Sequence, residues 1–265
     1  MRQHHSVKGT ELSQLFTITE GQGRPIVVLH GWGMNQAVWQ PIRERLIQQA
    51  QVTWVDLPGH GHSAELKLGS LDELVEQLIP IIPEKALIMG WSLGGIIAQA
   101  LALRLTQQVS ALILIASTPR FVAATDWPYA ISAEVLQGFA ESLAQDYTAT
   151  VKRFFALQFM GTRSDLVALN HLRDQILQYP ANLAALTEGL EILRTADCRQ
   201  AAIQQPCLWV LGRLDKLIPS CLAEGLQTLS YPAAEIVVLA KAAHLPFVTH
   251  PDEFMSIVEN FIHGL

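Results

Sequence analysis

The chain has little charge, little sulfur and no long apolar run, and each shortage removes a class of protein. Only 16% of its 265 residues are Asp, Glu, Lys or Arg, while 50% are hydrophobic, which excludes a disordered chain. Its 18 basic residues fall short of 24 acidic ones and leave a net charge of −6. That balance offers no basic face to a nucleic-acid backbone. Apolar stretches such as 111–116 are far too short to span a bilayer, so no membrane segment is expected. Residues 1–8 are polar, carry two histidines and lack the apolar centre of a secretory signal. The cysteines Cys198, Cys207 and Cys221 are odd in number and have no metal-ligand spacing. Reduced thiols in a cytoplasmic protein are the expected reading. No Gly-rich turn matches a dinucleotide or P-loop fingerprint, and no His, Cys and carboxylate cluster suits a metal. Neither cofactor nor metal is expected.

What the chain does have is alternation of apolar runs with helical patterns. Residues 15–19 read as a short strand, and 26–29 as a strand covered on both faces. Helical spacing follows over 36–49, a strand over 52–55, and helical spacing again over 70–82. The apolar run 87–89 enters Gly90-Trp-Ser-Leu-Gly94, followed by a helical pattern over 96–105 and a strand over 111–116. Such spacing predicts right-handed crossovers and a mostly parallel α/β sheet with helices on both faces. Between Thr118 and Arg199 the strand runs stop. Apolar residues there recur at helical spacing: Val135, Leu136, Phe139 and Leu143, then Val151, Phe154, Phe155 and Leu157. The expected organisation is a core of residues 1–117 and 200–265 with an inserted helical cap over 118–199. A strand over 207–211, a helix over 219–229, a strand over 236–239 and a helix over 251–263 complete the core.

Gly90-Trp-Ser-Leu-Gly94 between a strand and a helix has the context of a nucleophile elbow, with Ser92 lifted above the sheet edge. Gly90 and Gly94 sit where a Cβ would clash in such a turn. Reacting groups of open parallel sheets collect at the carboxyl ends of strands, and that rule sorts the remaining candidates. His30-Gly-Trp-Gly33 leaves the strand over 26–29 at that edge, so the N–H groups of Trp32 and Leu93 form the expected oxyanion hole. Asp215 follows the strand over 207–211, and His244 the strand over 236–239. The chain order Ser92, Asp215, His244 is that of an α/β-hydrolase triad. The imidazole would take the serine proton, and the carboxylate would hold the imidazole in the productive tautomer.

Rivals exist for both partners. His250 precedes Pro251 at a helix start and reads as a surface residue. His30 reads as orienting its loop through a hydrogen bond, while Asp56 can satisfy amides of the turn that holds His60 and His62. His4, His5, His171 and His263 read as solvated. Asp197 is the best alternative acid, although it precedes the relevant strand. A triad alone fits a short-chain carboxylesterase, a thioesterase or a carbon–carbon bond hydrolase equally. A silent binding module of this fold would be expected to lack one of the three residues.

Further strings narrow the choice: His30-Gly-Trp-Gly33, Asp56-Leu-Pro-Gly59, Gly90-Trp-Ser-Leu-Gly-Gly95, Arg153-Phe-Phe-Ala-Leu-Gln-Phe-Met-Gly-Thr162, Gly189-Leu-Glu-Ile-Leu193 and Ala240-Lys-Ala-Ala-His-Leu-Pro-Phe247. In register over nearly the whole chain, they resemble the pimeloyl-[acyl-carrier protein] methyl ester carboxylesterases of biotin synthesis. The first three are shared with many hydrolases; the string from Arg153 to Thr162 and Trp91 beside the serine are more specific. The resemblance implies cleavage of the methyl ester of pimeloyl-[acyl-carrier protein] to the free acid and methanol, with Ser92, Asp215 and His244 as the triad; a monomer is expected. It implies that Trp32, Leu93, Phe154, Gln158 and His244 touch substrate. It also implies that basic residues of the cap, here Lys152, Arg153, Arg163 and Arg173, meet the acidic carrier protein. One departure is Cys198, which stands where an aliphatic residue is expected.

Overall fold

A computed structural model describes residues 14–162, 166–200, 202–229 and 231–265. Seven strands form one sheet: β1 (Thr17–Glu20), β2 (Pro25–Leu29), β3 (Gln51–Val55), β4 (Ala86–Trp91), β5 (Val109–Ile115), β6 (Cys207–Gly212) and β7 (Ala234–Leu239). Their order is β1-β3-β2-β4-β5-β6-β7. Only β1 runs antiparallel to its neighbour; every other pair is parallel. The α-helices are α1 (Arg43–Ile47), α2 (Leu71–Leu78), α3 (Leu93–Arg104), α4 (Ala133–Gln145), α5 (Tyr147–Leu157), α6 (Leu166–Gln178), α7 (Leu183–Thr195), α8 (Leu222–Gln227), α9 (Pro246–Thr249) and α10 (Pro251–His263). Among the described residues, no helix is long and apolar enough to cross a membrane.

The mostly parallel sheet and the four helices between β5 and β6 follow the apolar pattern, and the departures have local causes. The helix expected over 36–49 divides into a 3₁₀ turn, Gln36–Ile42, and the short α1. Pro41 lies in that turn and has no N–H to donate. Pro80 acts likewise: α2 begins on a reciprocal Ser70–Glu73 cap but gives way to 3₁₀ geometry at Ile79. In contrast, α3 starts three residues earlier than its apolar spacing suggests, directly after Ser92.

Strand β4 is buried along its whole length between β2 and β5. Covered on both faces, it has no need of the polar alternation of a half-exposed strand. Asp56, at the carboxyl end of β3 and wholly buried, joins the loops that surround the site. Its Oδ1 accepts from Gln36 N at 2.7 Å, and its Oδ2 from His62 N at 2.8 Å. A buried carboxylate is tolerated here because backbone donors meet both oxygens. Asp56→Ala removes both acceptors and is expected to cost about 1–3 kcal/mol in urea unfolding, with Asp56→Asn milder because its amide oxygen still accepts. Equal midpoints for wild type and Asp56→Ala would refute this role.

Candidate active site

The turn from β4 into α3 holds Ser92 at φ 54°, ψ −117°, a conformation that L side chains rarely adopt. It persists because its backbone is tied on both sides. Ser92 N donates to Ile115 O at 2.9 Å, and Ser92 O accepts from Ser117 Oγ at 2.8 Å and Gly95 N at 2.9 Å. A Cβ on Gly90 would overlap Gly94 O, and one on Gly94 would overlap Leu29 O, so both elbow glycines are sterically required. Leu93 opens α3, and its N–H lies where the helix end is electropositive.

Trp32 leaves β2 on the opposite side of this turn. The indole of Trp32 donates to Leu186 O of α7 at 2.8 Å and meets Phe154 of α5 edge-on, centroids 4.8 Å apart. Gly189 of α7 lies so close to that indole that a Cβ would stand 2.7 Å from it and 3.5 Å from the Leu93 side chain. Both sequence-predicted oxyanion residues therefore lie beneath α7. Among the described residues, neither backbone N–H donates to another protein group.

Two buried histidines shape the Trp32 loop. His30 Nε2 accepts from Leu57 N at 3.0 Å, and His60 Nε2 accepts from Gly33 N at 3.3 Å. Each ring must therefore carry its proton on Nδ1, which donates to Gly31 O and Pro58 O respectively, both at 2.9 Å. Burial lowers His30 to about 4, against a smaller upward pull from Gly31 O. Burial, together with nearby His30, lowers His60 to about 3. Both rings stay neutral as acceptors. His30 is a loop orienter, as its sequence position predicts; the role of His60 had no sequence signal beyond its Gly-rich turn.

Asp215 follows β6 and is turned inward by two backbone donors, Leu217 N at 2.8 Å and Ile218 N at 3.0 Å, both on Oδ1. Its Oδ2 meets His244 Nδ1 at 2.7 Å, with both side chains buried. That contact leaves His244 Nε2 as a bare acceptor, buried and without a hydrogen bond. Trp91, adjacent to Ser92, donates its indole N–H to His244 O at 2.8 Å and so ties the elbow to the histidine loop. The tie was legible only as the family-specific tryptophan beside the serine. Catalytic hydrogen bonds commonly close only once substrate is bound.

The rivals lie elsewhere. Asp197 pairs with Arg120 at 3.0 Å and Arg199 at 2.7 Å. Burial alone would raise its carboxyl, but hydrogen bonds from Arg199 and Arg120 hold it below the usual value. His250 contacts Thr249 Oγ1 at 2.8 Å, not a carboxylate. Gln158 ends α5 wholly buried, with both amide atoms unpartnered. Such an amide is costly unless something else completes its hydrogen bonds. Lys152 and Arg153 are exposed on α5, and Arg173 pairs with neighbouring Asp174 at 2.8 Å. Arg163 lies outside the described residues, as do His4 and His5. Cys198 is buried with its thiol pushed up to about 12, so it packs as a small apolar side chain.

The histidine pair generates a pH dependence. Unfolded imidazoles bind protons near pH 6.5, whereas these two resist protonation until about 4 and 3. Between those values the unfolded chain binds more protons, so stability is full above pH 6.5 and is lost as pH falls toward 4 and 3. The slope is about 1.4 kcal/mol per pH unit for each histidine. His60→Gln, which keeps an acceptor but cannot titrate, is expected to flatten the curve of unfolding free energy between pH 6.5 and 5. An unchanged slope would remove His60 from this account.

A model of the alpha/beta hydrolase family matches residues 26–257. A pimeloyl-[acyl-carrier protein] methyl ester esterase of Aliivibrio salmonicida is 43% identical over 253 residues, covering 94% of this chain and 96% of its own. The enzyme of that name from Aeromonas salmonicida is 42% identical over 248 residues, covering 91% and 96%. Among solved structures, an esterase from Exiguobacterium antarcticum superposes with a TM-score of 0.82 at 21% identity, covering 94% and 95%, a likeness of fold. With a parallel sheet, a serine elbow and relatives matched along almost their whole length, this chain belongs to the alpha/beta hydrolase family and, within it, to the pimeloyl-[acyl-carrier protein] methyl ester esterases.

Proposed function

We propose that this protein hydrolyses the methyl ester of pimeloyl-[acyl-carrier protein], releasing methanol and the carrier-bound acid for biotin synthesis. The observation that carries the chemistry is the His244–Asp215 pair behind the strained Ser92 elbow: Nδ1 is held by the carboxylate and Nε2 is left bare. The names and whole-length identity of the relatives support the substrate.

In the first step Ser92 Oγ attacks the ester carbonyl carbon while His244 Nε2 takes the hydroxyl proton. The oxyanion accepts from the N–H groups of Trp32 and Leu93, each worth about 3–4 kcal/mol in the transition state. Collapse expels the methoxy group, which leaves as methanol with the proton from His244. Water, deprotonated by the same nitrogen, then cleaves the acyl-enzyme and restores Ser92. Asp215 stabilises the imidazolium in both steps.

Residues 118–199 act in this reading as a cap over the core of 1–117 and 200–265. Phe154 and the unpaired Gln158 amide meet the substrate, and Lys152, Arg153 and Arg173, with Arg163 outside the described residues, offer positive charge to the acidic carrier. Burying about five methylenes would contribute on the order of 4 kcal/mol of binding. An uncharged methyl ester tolerates an apolar site, whereas the product carboxylate does not, which favours release.

The test is methyl-ester cleavage on pimeloyl-carrier protein, beside a short model ester. Carrier-bound ester is expected to be the better substrate in kcat/KM, and cleavage of the model ester alone would leave a general carboxylesterase. Ser92→Ala is expected to lower kcat about 10⁶-fold. Asp215→Asn is expected to lower it about 10⁴-fold and Asp197→Asn only a few-fold. The reverse ranking of the two aspartates would transfer the acid to Asp197.

A further inference from the structure

Trp91 ends β4 beside Ser92, wholly buried, and its indole meets two other loops that carry the chemistry. On one side a Cβ on Gly31 would stand 2.9 Å from the six-membered ring, so the Trp32 loop rests on that ring. On the other, Nε1 donates to His244 O at 2.8 Å, and the indole and imidazole centroids lie 5.5 Å apart at 56°. The indole is held in this orientation by two aromatic edges, Phe247 at 5.5 Å and Trp39 at 6.5 Å. Trp39 in turn stacks on Phe247 at 4.2 Å.

The His244 carbonyl depends on this one donor. Pro246, two residues on, has no N–H, and the N–H groups of Val248 and Thr249 both go to Leu245 O at 3.1 Å. Among the described residues, no other hydrogen bond reaches His244 O. Without the indole a buried carbonyl on the base's own residue would be left unpaired, and its peptide would turn toward another donor. The base has little else to resist such a turn. Asp215 holds the ring at Nδ1 alone, and a ring held at one atom can swing about it. A second fixed point on the backbone is what aims Nε2.

We propose that Trp91 is a positioning residue for ester hydrolysis. Its indole N–H fixes the backbone of His244 and so aims Nε2 at the Ser92 hydroxyl, in register with the Trp32 loop that rests on the same ring. The inference rests on the reading of Ser92, Asp215 and His244 as a triad. His244 moves the proton in both acylation and deacylation, so loss of the anchor acts on kcat, where a misplacement of about 1 Å can cost about 10²-fold. The indole is wholly buried and offers substrate no surface, so KM is expected to hold.

Trp39 supplies the control: it is equally buried in the same aromatic cluster, but its Nε1 has no partner. Trp91→Phe and Trp39→Phe remove the same atoms from neighbouring places, and only the first removes a hydrogen bond to the base. β-(3-Benzothienyl)alanine at position 91 puts sulfur where the N–H was and keeps the size of the ring. Each protein is assayed on p-nitrophenyl acetate for kcat and KM, and for its rate of fluorophosphonate labelling, beside Ser92→Ala. Both replacements at 91 are expected to lower kcat about ten- to hundredfold, with KM within about threefold and labelling slowed in parallel. Trp39→Phe should stay within about threefold in all three measures. If Trp91→Phe fails to fold, the benzothienyl protein decides by the same comparison. Rates at 91 that match Trp39→Phe, or a loss carried by KM, would overturn the positioning role alone when Ser92→Ala is silent. Turnover surviving in Ser92→Ala would refute the triad, and the positioning role with it.

Discussion

How closely the first turn of α3 can lie against β2 and β4 determines what the rest of the site can do. Gly90 and Gly94 let backbone meet backbone there, and Ser92 is forced into a conformation that would relax if either contact opened. The cost of that strain is of order 1–3 kcal/mol and is offset by the ties to Ile115, Ser117 and Gly95. In return the serine side chain stands clear of the helix, with the helix N-terminus behind it. The loops carrying Trp32, Asp215 and His244 are then arranged around a fixed point.

Electrostatically the site works by keeping rings neutral. His30 and His60 are deep enough that burial outweighs their hydrogen bonds to carbonyls, so they accept from Leu57 N and Gly33 N without adding positive charge beside Trp32. His244 differs because its Nδ1 faces a carboxylate instead of a carbonyl. Three histidines at one sheet edge thus divide into two whose Nε2 accepts from a backbone N–H and one whose Nε2 is left without a partner, and the division follows what each Nδ1 faces.

Much of this was legible in the sequence because it depends on short-range chemistry. The strand–elbow–helix pattern around Ser92, the Asp215 and His244 loops after β6 and β7, and the boundaries of α10 follow from apolar period and turn residues alone. The broken helices at Pro41 and Pro80 could have been read from the same rules, since each proline removes a donor. Contacts between segments remote in the chain could not. Nothing in the order of residues says that Trp32 would reach Leu186, 154 positions away, or that Trp91 would hold the carbonyl of His244. His60 was equally hidden: its glycine-rich turn says nothing of the Gly33 N–H that its Nε2 accepts.

The fit between Gly189 and the Trp32 indole carries a consequence for how this enzyme can change. A methyl group at 189 would press on the ring that also anchors α7, so neither position can vary alone without disturbing the loop that carries Trp32. Enlarging residue 189 becomes tolerable only with a smaller ring at 32, and the effects of the two substitutions will not add. Divergence at either residue therefore meets a ratchet at this pair.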